Sequence, residues 1–329
     1  MRHPPDPMER SFDGAGTATS VVLFLTMTVA WGINYIFVVI GLAYVTPLWL
    51  AGLRAAVGAI VVFAFLRATR HPRVLDAAGR RDALIVGLPT TAAFLGLWFY
   101  AAASVPAGET AILIYTFPLW VALLSPWVLG HPLSGRHWLA IGIGFAGVVL
   151  ISQPWSLGAG AIAPISLAEL LAAAIFWAVG TVIVQRRFPS PTEMSEANVY
   201  QMAGGAAALV AAAIVVNHSQ LPVPSPVLGL VFVWIGVVGT GFAYIVWYRL
   251  LSRIRAATLS AYTFVVPMIT VIASSIVFQE RFTASEIAGM LLVIASIYLI
   301  GTARTLPATQ GGHRPRERID PAVRDPPPG

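Results

Sequence analysis

Arg54 lies seven residues beyond Pro47 in the run TPLWLAGLRAAVGAIVVFAFL, residues 46–66, which is otherwise almost entirely apolar. A guanidinium is always charged, and its planar fork grips a carboxylate or a phosphate through two parallel hydrogen bonds. Counted from Pro47, it stands about 10 Å along a helix that rises about 1.5 Å per residue. Charge at that depth in hydrocarbon costs about 2.5–3.5 kcal/mol on insertion scales. Three placements answer that cost: a cavity where Arg54 meets an anion, a structural ion pair, or snorkelling of the side chain to the headgroups. Pro47, Leu50, Ala51, Arg54 and Gly58 share one helical face. Small residues and proline there suit the inside of a bundle, so a cavity-facing Arg54 that binds substrate is the reading carried forward.

Two acids fall near the same membrane surface. Glu109 opens one apolar run and could pair with Arg54, bind a substrate ammonium group or carry a coupling proton. Glu169 follows Ser166 at the spacing of a capping box, which reads as a helix start. Aromatic and polar residues recur at helical spacing in AWGINYIFVV (Trp31, Asn34, Tyr35), in FWAVG (Trp177, Gly180), at Trp98 beside Phe94, and at Thr240, Tyr244, Trp247 and Tyr248. An aromatic-lined cavity would suit an amino acid or another amphipathic metabolite, whereas interfacial belts are the plainer use of Trp and Tyr. The expected substrate-binding set is Arg54, Trp31, Asn34, Tyr35, Trp98, Glu109, Trp177, Gln201 and Tyr244. Pro118 and Pro267 are expected as mid-helix kinks that bend during transport.

Hydrolytic, phosphate-loop and metal chemistry find no footing. There is no Gly-rich phosphate loop, no HExxH pair and no cysteine, and the six histidines fall in tails, loops or run ends. Neither an enzyme, a cofactor nor a metal is expected. A membrane-embedded enzyme acting on lipid is the alternative from another class; it would need acids or histidines converging near one leaflet.

These residues must be positioned by elements built for lipid. The 329-residue chain is 57% hydrophobic and 10% charged, with a mean hydropathy of +0.79. Soluble domains carry about 25% charge, so the net charge of +6 is not a nucleic-acid signal. Ten apolar runs approach the roughly 20 residues a spanning helix needs: 20–41, 47–66, 83–103, 107–129, 138–155, 165–184, 198–217, 227–248, 256–278 and 284–302. The expected fold is an all-α membrane protein of ten transmembrane helices. Residues 1–19 read as a polar tail and 303–329, rich in Pro, Gly and Arg, as a disordered one. Apart from Arg54 and Arg281, every arginine falls before run 1, after run 10 or in alternate connections between runs. The positive-inside rule then places both termini in the cytoplasm, with the protein in the cell (inner) membrane.

The chain also repeats itself. WGINYIF pairs with FWAVGTVIVQ, LWFYAAAS with IVWYRLLS, and YTFPLW with FVVPMI, at offsets near 146–149 residues that set Pro118 on Pro267 and Arg54 on Gln201. Each half, 20–155 and 165–302, holds five runs. An odd number turns the second copy over in the membrane, which is the inverted-repeat pattern of secondary transporters. Ala140, Gly144 and Gly147, with Gly289 and Ser296, have the spacing of close helix contacts within one chain or in a homodimer.

WGINYIF, PLWLAGLR, FPLWVALLSPWVLG and VVPMITVIASSIVFQERFTASEIAGMLLVIASIYLIG together resemble the drug/metabolite transporter superfamily in its EamA-like branch. Gln279-Glu280 stands where that family often has Gly-Glu. The resemblance spans about residues 20–302. It implies two inverted EamA units and secondary export of amino acids or related small metabolites, with the bilayer and a small-molecule substrate as partners. Proton coupling stays open, as does a nucleotide-sugar or other anionic-metabolite carrier in which Arg54 would bind phosphate.

Overall fold

The computed structural model describes residues 15–130, 134–152, 162–218, 220–263 and 265–302. Residues 1–14 and 303–329 of the expected tails, and 153–155 of the fifth expected run, lie outside them, while residues 15–19, expected in the N-terminal tail, belong to the first helix. Every regular element among the described residues is helical. In chain order these are α1 (Ala15–Leu42), α2 (Pro47–Ala68), α3 (Ala77–Ala102), α4 (Ala107–Leu129), α5 (Gly135–Ser152), α6 (Pro164–Arg187), α7 (Pro191–Val216), α8 (Pro226–Leu251), α9 (Ala256–Tyr262 and Val265–Val277) and α10 (Ala284–Thr302). Eight of them are long and apolar enough to cross a membrane, while α5 and α10 carry shorter apolar stretches, Gly135–Ile151 and Ala284–Ile300.

Helix starts follow local chemistry. Proline occupies the first position of α2, α6, α7 and α8, where its missing N–H leaves no partner wanting. The Asp76 carboxylate accepts from the Gly79 amide at 2.7 Å and starts α3. The Ser190 hydroxyl accepts from the Glu193 amide at 3.1 Å, and the Glu193 carboxylate accepts from the Ser190 amide at 3.2 Å. That capping box starts α7 at Pro191, so the polar stretch PTEMSEA is helical where the apolar run alone put the start near 198. The capping box expected at Ser166 and Glu169 does not form. Helix α6 begins at Pro164 behind Ala163 without a side-chain cap, because the proline already fixes its first turn, and Ser166 Oγ lies 3.1 Å from Ser104 Oγ instead.

Two kinds of irregularity recur in both halves. Helices α3 and α8 widen to π-helical turns over Leu88–Ala93 and Val233–Phe242. Helix α4 breaks at Tyr115–Thr116, and α9 is interrupted after Tyr262. At each break a threonine hydroxyl bonds back three residues, Thr116 to the Leu113 carbonyl at 2.7 Å and Thr263 to the Ser260 carbonyl at 2.6 Å. Pro118 and Pro267 thus stand just after the points where the spans of α4 and α9 are interrupted, within the four residues over which a proline breaks a helix. They occupy the first turn of the restarted helices Phe117–Leu129 and Val265–Val277. Each proline leaves the carbonyl four residues before it without a helical donor, and the threonine hydroxyl bonds to a carbonyl at the break.

The two halves interlock. Helix α2 packs on α7 and α8, α3 on α6 and α7, α4 on α6 and α9, and α1 on α8 and α9. The contacts repeat with the halves exchanged. A Cβ on Gly58 of α2 would stand 2.3 Å from Thr240 Cγ2 in the wide turn of α8, and one on Gly205 of α7 would stand 2.3 Å from Thr91 Cβ in the wide turn of α3.

Helices α5 and α10 form their own close pair within the chain. The Ser296 hydroxyl donates to the Ala140 carbonyl at 2.5 Å. A Cβ on Gly147 would lie 2.7 Å from the Gly289 carbonyl oxygen, so the small residues serve backbone approach inside the protomer. Gly147→Val should separate the pair and destabilise the protein by about 1–3 kcal/mol, read as a lower Tm in detergent. An unchanged Tm would show that the contact contributes nothing.

Candidate functional site

Arg54 is 2% exposed in the middle of the bundle, which removes the snorkelling reading. Its Nε donates to Thr240 Oγ1 at 2.7 Å, and the Thr240 hydroxyl donates in turn to the Ile235 carbonyl at 2.6 Å, five residues back along the wide turn of α8. The guanidinium carbon lies 5.0 Å from the Trp98 ring centroid and 5.4 Å from that of Phe99, within cation–π range. No carboxylate pairs with Arg54 among the described residues. The structural ion pair is thus absent, and one guanidinium nitrogen, Nη1, is buried without a hydrogen-bond partner.

The cavity beside Arg54 is lined by Trp31, Asn34, Tyr35, Phe94, Trp98, Tyr115, Trp177 and Tyr244. Seven of the nine residues expected from sequence thus meet here, from α1, α2, α3, α6 and α8. The rings hold one another. Trp177 stacks on Phe117 at 3.8 Å and on Phe94 at 5.0 Å, and meets Trp31 edge-on at 5.7 Å. Tyr35 lies against Trp98 at 4.7 Å, and Trp31 against Tyr244 at 5.9 Å. The Trp31 indole donates to the Gly239 carbonyl at 3.0 Å, which fixes the ring on the wide turn of α8. Asn34 Oδ1 and Trp98 Nε1 are buried without partners. The site therefore offers a fixed cation, an indole donor and an amide inside an apolar cage. Buried polar groups of this kind are costly until something pairs with them.

The other two expected residues lie elsewhere. Gln201 is buried on α7, where its amide donates to the Tyr248 hydroxyl and to Asn198 Oδ1 at 3.3 Å. The repeat aligns Gln201 with Arg54 in sequence, but Gln201 does not line the cavity and its amide is engaged by the Tyr248 hydroxyl. Glu109 is buried in the first turn of α4 with Glu280 and Glu286 as its electrostatic neighbours. The Glu280 carboxylate accepts from the amides of Ala107 at 2.8 Å and Gly108 at 3.1 Å, closing the N-terminus of α4 from the opposite half. Phe94 and Tyr115 line the cavity, and Phe117 and Trp247 back it, beyond the expected set. Phe94 lies one turn before Trp98, a spacing visible in sequence. Tyr115 faces the cavity from the break in α4, which the unbroken apolar run hides.

Residues 18–153 and 165–302 each match the EamA-like transporter family. The chain belongs to that family. "Uncharacterized transporter YoaV" of Bacillus subtilis (strain 168) is 24% identical over 279 residues, covering 84% of this chain and 94% of its own. A "Probable amino-acid metabolite efflux pump" of Escherichia coli (strain K12) is 22% identical over 289 residues, covering 84% and 93%. A solved crystal structure matches the fold with a TM-score of 0.63 at 20% identity, over 86% of this chain and 97% of that one. This EamA-like membrane transporter thus carries two copies of the family unit. The cage around Arg54 takes side chains from both, with Trp177 and Tyr244 supplied by the second.

Proposed function

We propose that this EamA-like protein is a secondary transporter that exports amino acids or related small carboxylated metabolites. Arg54 receives the substrate carboxylate, and the aromatic cage encloses the side chain. The observation that carries this reading is Arg54 itself, a buried cation without an acidic partner among the described residues and with an unpaired donor at a ring-lined cavity. A permanent charge so placed is costly alone and is relieved by a bound anion.

The ten helices act as two inverted five-helix halves, 20–155 and 165–302. The exchange-related contacts of Gly58 with Thr240 and Gly205 with Thr91 support this arrangement, as does the alternation of arginine-rich and arginine-free connections. That alternation also supports cytoplasmic termini in the cell (inner) membrane. The cavity measures ≈ 20 Å³, room for about one water. This closed arrangement corresponds to an occluded state, and an amino acid enters once the halves part. The threonine breaks of α4 and α9 are the points where the helices bend. The resemblance to an efflux pump for amino-acid metabolites supports export as the direction.

The test is counterflow in proteoliposomes with a panel of labelled amino acids, each beside its decarboxylated amine. Exchange of an acid but not of its amine is the expected result. Equal exchange of both would remove the carboxylate role of Arg54, and exchange of amines alone would overturn the substrate class.

A further inference from the structure

A second cavity, ≈ 360 Å³ in volume, lies far along α2 from Arg54, between the end of α2, the loop into α3 and the start of α7. Its walls divide by chemistry. Arg67, Arg70 and Arg73 supply cations, whereas Phe63, Leu66 and Val199 supply an apolar side. Arg67 closes the last turn of α2 with its guanidinium 6.0 Å from the Phe63 ring. Arg70 is held with φ at 51°, a conformation that few non-glycine residues adopt, and the amide of His71 bonds back to the Leu66 carbonyl at 2.8 Å. The cations are thus carried on an ordered turn. The acid in the cavity is already engaged, since Glu196 Oε2 accepts from the amides of Val74 at 2.7 Å and Leu75 at 2.9 Å, with Arg80 Nε 3.7 Å from its other oxygen.

The apolar wall continues along the outside of the bundle. On α2, Phe63 is 49% exposed and Ile60 66% exposed. On α7, exposed Ala207 and Ala211 follow the same outward face above Val199. A soluble anion has no use for such a wall. A phospholipid uses both parts, its phosphate among the arginines at the headgroup level and an acyl chain along the α2–α7 groove.

We propose that this cavity binds an anionic phospholipid of the adjoining leaflet. The site is separate from the cage at Arg54 and does not depend on what the transporter carries. The test is native mass spectrometry together with thermal unfolding of the full chain in detergent. Phosphatidylglycerol, phosphatidylcholine, glycerol 3-phosphate and inorganic phosphate are each added. Wild type should retain phosphatidylglycerol and unfold at higher temperature with it, and respond to none of the other three. The Arg67→Gln/Arg70→Gln/Arg73→Gln variant should bind phosphatidylglycerol on the order of a hundredfold more weakly, about fivefold for each arginine. A charge-matched control, Arg136→Gln/Arg249→Gln/Arg253→Gln, removes three exposed arginines outside the cavity and should bind like wild type. Equal retention of phosphatidylcholine, or equal weakening by both triple variants, would overturn the site in favour of general surface charge. A full response to glycerol 3-phosphate or inorganic phosphate would overturn the lipid in favour of a soluble phosphate.

Discussion

Arg54→Met is expected to abolish substrate binding while leaving the bundle at least as stable as wild type. Methionine fills a similar length with an apolar chain. Replacing a buried, unpaired charge by an apolar group of similar size is commonly neutral or stabilising. Thr240 loses one donor but keeps its own bond to the Ile235 carbonyl. The substrate carboxylate loses charge-assisted hydrogen bonds worth about 1.5–3 kcal/mol each. Affinity should therefore fall at least about a hundredfold, measured by counterflow or by substrate-induced shifts in Tm. Arg54→Lys should recover little, because a compact ammonium cannot both bond Thr240 and present a fork to the carboxylate. A marked loss of Tm in Arg54→Met with unchanged substrate affinity would make Arg54 a structural residue.

Trp177→Ala should give the largest loss of stability. Trp177 touches Trp31, Phe94, Tyr115, Phe117 and Trp247 and is 5% exposed. It joins α6 of the second half to α1, α3 and α4 of the first. Truncation of a buried tryptophan costs about 3–5 kcal/mol, because the five rings cannot all close over the space. Transport should fail with it, since Trp31 and Tyr115 lose the ring that sets their tilt. Trp177→Phe keeps the stacking on Phe117 and should retain most of the stability. A Tm for Trp177→Ala within a degree or two of wild type would show that the cage is not a packing centre, and intact transport would separate it from the substrate path.

The membrane class, the duplication and an inward-facing Arg54 were legible in the linear chain. Each rests on composition or period: the long uncharged runs, the offset near 147 residues, and one guanidinium where hydrocarbon is expected. Trp31, Asn34, Tyr35, Trp98, Trp177 and Tyr244 could be anticipated as cavity residues because helical spacing fixes which residues share a face. Partnership across helices could not. Nothing local tells that the Gln201 amide bonds to Tyr248 of α8, or that Glu280 closes the start of α4 from the opposite half. Glu109 failed as a partner of Arg54 for the same reason, since depth along a helix does not give the distance between helices.

Backbone irregularities were the other hidden feature. The wide turns of α3 and α8 and the threonine breaks of α4 and α9 lie inside uniformly apolar runs, so hydropathy passes over them. The prolines pointed to the neighbourhood of the breaks in α4 and α9. The sequence by itself determined how much of the chain must sit in lipid, that it does so twice, and which side chains are too polar to be there without a purpose. Only the tertiary structure decided which of those side chains meet. That choice depends on how glycines such as Gly58 and Gly205 let backbones approach, and on where a π turn or a threonine break rotates the following residues toward the cavity.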